Sequence, residues 1–130
     1  MPEESALEFM ARKNRAFKAD REAPIRMKDI GRRGSHAFER EAWTFMPQSN
    51  LADEKVFIVE RLRRVRLDGD ITHQGLRVGD VEYRIGYYMR GKIRKASGRW
   101  VWGQFCPMVP ADDLPRLLDK ARREGTLLPY

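Results

Sequence analysis

Alternation of apolar and polar residues between Val78 and Phe105 constrains the fold of this 130-residue chain more than any other feature. Apolar side chains occupy the odd positions from 81 to 87, and between them stand Glu82, Arg84 and Gly86. This two-residue period is typical of a half-buried strand. Ala96-Ser97-Gly98 supplies a reversal, after which the alternation returns. We therefore predict a long antiparallel hairpin over about 81–106.

Helices are predicted on both sides of these strands. Residues 4–22 have helical spacing, with a capping box at Ser5 and Glu8. The predicted inner face carries Leu7, Met10, Asn14 and Phe17, and it is widened by Ala6, Phe9 and Ala11. Residues 112–124 predict a second helix, which Asp112 caps and Gly125 ends.

Two middle segments are harder to read. Residues 55–67 fit either a strand or a helix, and their β-branched content favours the strand. Residues 23–53 contain two loop-like stretches and predict an irregular arm. The expected fold is a single α+β domain spanning 1–130, with a helix at 4–22, an irregular arm at 23–53, antiparallel strands over 55–106 and a helix at 112–124.

Charge narrows the class of partner. The chain carries 26 Lys and Arg against 19 Asp and Glu, a net charge of +7, and 19 of its cations are arginine. Residues 51–110 hold most of this excess, with 12 basic and 7 acidic side chains. A basic domain attracts polyanions, and arginine suits phosphate and guanine. The longest apolar run, Val56 to Val59, is far too short to cross a bilayer, so we expect no membrane partner.

Cysteine content points to a reducing compartment. Cys106 is the chain's one cysteine, so an intramolecular disulfide cannot form, and the acidic start of the chain lacks a signal-peptide pattern. We expect a cytoplasmic protein.

The predicted hairpin carries the leading candidate site. Residues 90–105 contain five cations and no acid, and aromatic side chains flank them. We predict phosphate contacts from Arg90, Lys92, Arg94, Lys95 and Arg99, and base or sugar contacts from Tyr88, Trp100 and Trp102. The alternative is that these aromatics are core and the charged tip is only solvated. The faces taken by Trp100 and Trp102 decide between the two, because both cannot be buried together with Val101 unless both sheet faces are covered.

Two further basic motifs are weaker. The loop Gly31-Arg32-Arg33-Gly34 could approach phosphate, which adds Arg32 and Arg33 to the predicted site, but it lacks the spacing of a P-loop. Four arginines lie close together at Arg61, Arg63, Arg64 and Arg66, and a solvated surface is their default interpretation.

Catalytic signals are sparse. His36 and His73 share no metal-binding spacing, so we expect no catalytic residue, no metal site and no cofactor. One cluster loosely resembles a metal-dependent nuclease site, formed by Asp68, Asp70, His73, Asp80, Glu82 and Arg84. It has arginine where such sites have lysine, and arginine cannot act as a base.

The sequence therefore predicts a non-enzymatic protein that binds DNA or RNA through a basic, aromatic hairpin. The alternative is a subunit that docks on a protein, for example within a nucleoprotein complex, through the same aromatic and arginine side chains. A Mg²⁺-dependent nuclease is the third.

Overall fold

A computed structural model describes residues 3–28, 34–69, 75–91, 98–103 and 105–129. Two helices flank a five-stranded sheet in the order α1 (Ala6–Ala19), β1 (Ile25–Lys28), β2 (Ser35–Pro47), β3 (Lys55–Asp68), β4 (Val81–Arg90), β5 (Trp100–Trp102) and α2 (Asp113–Arg123). Each strand pairs antiparallel with the next one in sequence. The predicted α+β class is confirmed.

Both faces of the sheet are covered, each by one helix. On what we call the α1 face, Phe9 of the first helix packs against Phe45, Ile58 and Trp100. On the opposite α2 face, the buried residues of the sheet and second helix are Phe57, Val59, Tyr87, Leu117 and Ala121. The run from Val56 to Val59 is fully buried because its alternate side chains enter both cores. The 55–67 segment is thus a strand, as its β-branched residues predict.

The first helix begins as predicted and packs on the sheet through most of its predicted inner face, including Ala6, Phe9 and Phe17. Ser5 and Glu8 form the capping box. Phe9 and Phe17 are buried, but Leu7, placed on the predicted inner face, is 77% exposed. Lys13 lies between the two phenylalanines, and its ammonium sits 5.2 Å from the ring centroid of Tyr88. Lys13 thus joins the packed side of the helix, although its charge excludes it from the predicted apolar face.

Two strands, β1 and the 13-residue β2, lie within residues 23–53, where the sequence predicts an irregular arm. The pairing of β2 with β3 shifts register between Ala37 and Phe38 and again between Arg40 and Ala42. Each shift breaks the two-residue period. The charged residues in the middle of β2 find partners on β3, with Arg40 bound to Glu60 and Glu41 bound to Arg61 and Arg63.

The predicted hairpin and second helix are present with shorter bounds. Strand β5 ends at Trp102, and the Gly103 amide extends the ladder by one bond of 2.8 Å to the Tyr87 carbonyl. Gly125 ends α2 with a φ of 81°. Asp112 makes no side-chain capping bond, whereas Asp113 accepts a 2.9 Å bond from the Ser49 amide and ties α2 to the β2–β3 loop. Across the described ranges, no helix is long and apolar enough to span a membrane.

Candidate nucleic-acid interface

The candidate interface is the part of the α1 face that surrounds the indole of Trp102. Register pairs Trp102 with Tyr88, so the ring lies over strand β4. A Cβ at Gly86 would approach the indole to 2.4 Å, which means that only glycine lets the ring lie this close to the β4 backbone. Trp102 remains 39% exposed. The sheet thus holds a large aromatic side chain in place while leaving part of it open to solvent.

Neighbouring side chains fix the orientation of this indole. The Tyr88 ring meets it edge-on, with centroids 5.0 Å apart and planes at 77°. The guanidinium carbon of Arg84 lies 5.0 Å from the centroid of the Trp102 ring. A cation near an aromatic face is attracted by the negative face of the ring. We define Trp102, Arg84 and Gly86 together as the Trp102 platform.

Glu60 positions the cations beside the platform. Its carboxylate is fully buried and accepts 2.7 Å bonds from Arg40 Nε and Arg84 Nε, with a third bond of 3.1 Å from Arg84 Nη2. Arg40 in turn lies 3.7 Å from the centroid of the Phe17 ring. The two guanidinium groups are therefore held by charge-assisted bonds in fixed directions rather than left free in solvent.

Cations outnumber acids around this cluster. Lys13 joins Arg40 and Arg84 around Glu60, while the nearby Arg12 forms a bidentate pair with Glu4 at 2.8 and 2.9 Å. Burial lowers the pKa of Lys13, and repulsion from Arg12 and Arg40 lowers it further. The repulsion is expected where positive charge is crowded, and a bound anion would oppose it.

Tyr88 is the uncharged member of the cluster. Burial, followed by the negative charge of Glu60, raises its pKa to about 12. The phenol therefore stays protonated at neutral pH. The Tyr88 ring contacts both the Phe9 ring and the Trp102 ring, each at a centroid distance of 5.0 Å.

The structure separates the predicted site residues into three groups. Tyr88 and Trp100 are buried in the α1-face core; Trp100 stacks on Phe9 at 4.8 Å and donates to the Glu4 carbonyl at 3.0 Å. Trp102 and Arg99 are exposed. The remaining predicted phosphate ligands, Lys92, Arg94, Lys95, Arg32 and Arg33, lie outside the described residues.

Arg90 stands apart from these groups because its charge is already opposed. Its Nη1 atom lies 3.7 Å from a Glu3 oxygen and 3.6 Å from an Asp53 oxygen, and the group also lies over Trp100. An arginine that spans two acids is less available to an external phosphate than one in open solvent.

The arginine strip of β3 does not form one basic face. Arg61 and Arg63 share Glu41 on the α2 face. Arg64 is buried and binds Asp80 at 3.0 Å and Glu82 at 2.6 Å, while Arg66 binds Asp68 at 2.8 Å. All four arginines are thus engaged within the protein.

The nuclease-like cluster is likewise occupied by ion pairs where it is described. Arg64 binds both Asp80 and Glu82, and Arg84 binds Glu60. Asp70 and His73 lie outside the described residues. Within the described part of the chain, no group of three His, Cys, Asp or Glu side chains could hold a metal ion.

Sequence reasoning missed Lys13, Arg40 and Glu60 and assigned Arg84 to the nuclease cluster. A signal was present, because Glu60 interrupts the apolar positions of a strand and a buried carboxylate requires cationic partners. The identity of those partners depends on strand pairing.

Comparison with protein families, with curated proteins and with solved structures finds no match to this chain.

Proposed function

We propose that this protein binds nucleic acid without catalysing a reaction on it, and that the Trp102 platform is the base-contacting part of its surface. The observation that carries the proposal is a 39% exposed indole held over Gly86 with Arg84 beside its ring. Aromatic side chains presented on a sheet stack on unpaired bases, and each such contact is worth roughly 1–3 kcal/mol.

Single-stranded nucleic acid fits this surface better than a duplex. In a duplex the base faces are stacked on one another, so an indole on a sheet has no free base face to cover. An unpaired base can lie on the open part of Trp102 while Lys13 lies near its phosphates. Arg99, which is exposed immediately before β5, adds to the cationic surface.

The proposed phosphate ligands are Lys13 and Arg99, together with Lys92, Arg94 and Lys95 of the predicted hairpin. Residues 90–105 contain no acid that could neutralise the last four within the hairpin itself. Tyr88 contacts the Trp102 ring from within the core, and Trp100 and Arg90 are engaged by other residues of the protein, so none of the three is assigned a contact to the ligand.

Fluorescence anisotropy tests the proposal with labelled single-stranded DNA, single-stranded RNA and duplex DNA between about 50 and 300 mM salt. We expect tighter binding of the single strands, an affinity that falls as salt rises, and a loss of about tenfold in Trp102→Ala, equivalent to about 1.4 kcal/mol.

Val101→Ala is the matched control, because Val101 is 40% exposed on the same strand but on the opposite face. Its affinity should stay within about twofold of the parent. No binding at the lowest salt, or equal losses in the two variants, would contradict the proposal. Capture of a protein partner by the same surface, resistant to salt, would instead favour the docking alternative.

A further inference from the structure

A second open site lies on the α2 face, away from the Trp102 platform. It is a groove of about 830 Å³ between β4 and α2. Val81 and Tyr83 form its floor, Leu118 and Arg122 form the helix side, and the C-terminal segment closes it with Leu127 and Leu128. Its volume is within the range of roughly 300–1,000 Å³ that ligand sites occupy.

Hydrogen bonds build the closed end of this groove. The Tyr83 hydroxyl accepts a 2.8 Å bond from the Leu128 amide. Arg61 Nη1 donates to the Gly125 carbonyl at 2.8 Å and to the Thr126 carbonyl at 3.2 Å. The C-terminal segment is therefore anchored as a wall and does not fill the groove.

The exposed apolar surface continues beyond the groove lining by one residue on β4 and one on α2. Ile85 follows Tyr83 on the same face of β4, and Leu114 precedes Leu118 by one turn of α2; they are 41% and 43% exposed. Val81 to Ile85 spans about 13 Å along a strand, and Leu114 to Leu118 adds about one helical turn. An elongated apolar groove of this kind fits an amphipathic helix.

The charged residues around the groove indicate the net charge of the helix that would bind there. Arg61 and Arg63 pair with Tyr83 and Val81 in the sheet register, so they flank the floor. These two arginines share the single carboxylate of Glu41, and Arg122 pairs with Asp119 at 3.0 Å. Cations thus exceed acids, which favours an acidic occupant. A second copy of this chain, with its net charge of +7, would meet repulsion here.

We infer that this groove docks an acidic amphipathic helix of a protein partner, with apolar side chains on Val81, Tyr83 and Leu118 and carboxylates toward Arg122. This site is separate from the Trp102 platform and does not depend on the proposed function.

The test uses a fluorescein-labelled peptide of leucine and glutamate, about twelve residues long, with leucines spaced along one helical face. We expect saturable binding to the full chain, with a Kd of about 10–100 μM. A peptide of the same composition with scrambled spacing, and one with lysine in place of glutamate, should each bind at least about fivefold more weakly.

Arg122→Glu should weaken binding of the acidic peptide at least about fivefold, and Leu128→Glu should do the same by placing a carboxylate at the apolar wall. Arg116→Glu is the matched control, because Arg116 is exposed on the same helix outside the groove lining, and it should change the affinity by less than about twofold. Circular dichroism confirms that each variant is folded.

Equal losses in Arg116→Glu and Arg122→Glu, equal binding of the scrambled peptide, or no saturation up to about 1 mM would overturn the inference. A dimer in sedimentation equilibrium that Leu128→Glu dissociates would also overturn it, because the occupant would then be a second copy. Trp102→Ala should leave peptide binding unchanged. The docking of a helix in this groove and the binding of nucleic acid at the Trp102 platform can therefore be refuted independently.

Discussion

Gly86 decides whether the Trp102 ring can lie on the sheet at all. A Cβ at this position would meet the indole at 2.4 Å, and a Cβ at Gly103 would meet the Tyr87 ring at 2.2 Å. The two glycines therefore face two aromatic rings across the β4–β5 pair, one ring on each face of the sheet. Glycine in a strand costs conformational entropy, so its presence at both positions indicates that close approach of the rings compensates for that cost.

Gly86→Ala should destabilise the protein by about 1–3 kcal/mol, because the indole must leave its position over β4. Without a clash, replacing glycine by alanine in a strand would stabilise the protein. A lower free energy of unfolding in Gly86→Ala therefore indicates a clash with the indole. Urea denaturation measures this free energy. Gly75→Ala is the control, since nothing lies within 4 Å of its added Cβ, and it should change the free energy of unfolding by less than about 0.5 kcal/mol. Equal effects of the two substitutions would show that Trp102 does not depend on Gly86.

Tyr88 predicts a loss of stability at high pH. Its pKa is raised from 10.0 to about 12 in the folded protein, chiefly by burial, so the unfolded chain releases the phenolic proton first. The contribution is fully present below pH 10 and is lost as pH rises toward 12. Between about pH 8 and pH 11 the parent should lose about 1 kcal/mol more than Tyr88→Phe, measured by urea denaturation at each pH. Identical pH dependence in the two proteins would contradict this assignment.

At the level of elements, a strand could be predicted from sequence when its side chains pack into an apolar core, and not when they pair with charged side chains of another strand. The β-branched run of β3 and the alternation of β4 are visible in sequence because their side chains enter apolar cores directly. Strand β2 was not predicted, because its Arg40 and Glu41 form ion pairs with side chains of β3 and because two register shifts interrupt its two-residue period. Pairings of this kind belong to tertiary structure, which a local pattern does not contain.

Helix α1 illustrates the same limit within a correctly predicted element. Its capping box is local, so Ser5 and Glu8 located its start. The exposure of Leu7 and the position of Lys13 over the Tyr88 and Phe17 rings depend on how the helix meets the sheet, which no local rule supplies.

The packing of α1 can be tested with two truncations to alanine. Phe9→Ala should cost about 3–5 kcal/mol, because Phe9 is fully buried against Phe45, Tyr88 and Trp100. Leu7→Ala should cost less than about 0.5 kcal/mol, since Leu7 is 77% exposed and alanine is also a good helix former. Urea denaturation of both variants compares them. A larger loss in Leu7→Ala than in Phe9→Ala would contradict this packing of α1.

At the level of the whole molecule, net charge overstates the cations that a ligand can reach. Many described arginines bind the protein's own acids, including all four of the β3 strip. The candidate interface is distinguished instead by which part of the α1 face the helix leaves uncovered. Phe9 stacks on Trp100 and buries it, whereas Trp102 stays partly exposed. The sequence placed both tryptophans on one face, but only the position of α1 shows which of them a ligand could contact.

Contact between Trp102 and nucleic acid is tested most directly by ¹⁹F NMR of the protein labelled with 5-fluorotryptophan. The labelled protein gives one signal for each of Trp43, Trp100 and Trp102. Single Trp→Phe variants assign the three signals. On titration with single-stranded DNA or RNA, the Trp102 signal should shift or broaden while those of Trp43 and Trp100 stay in place, because those two rings pack against α1. Binding that leaves the Trp102 signal unmoved would contradict the account.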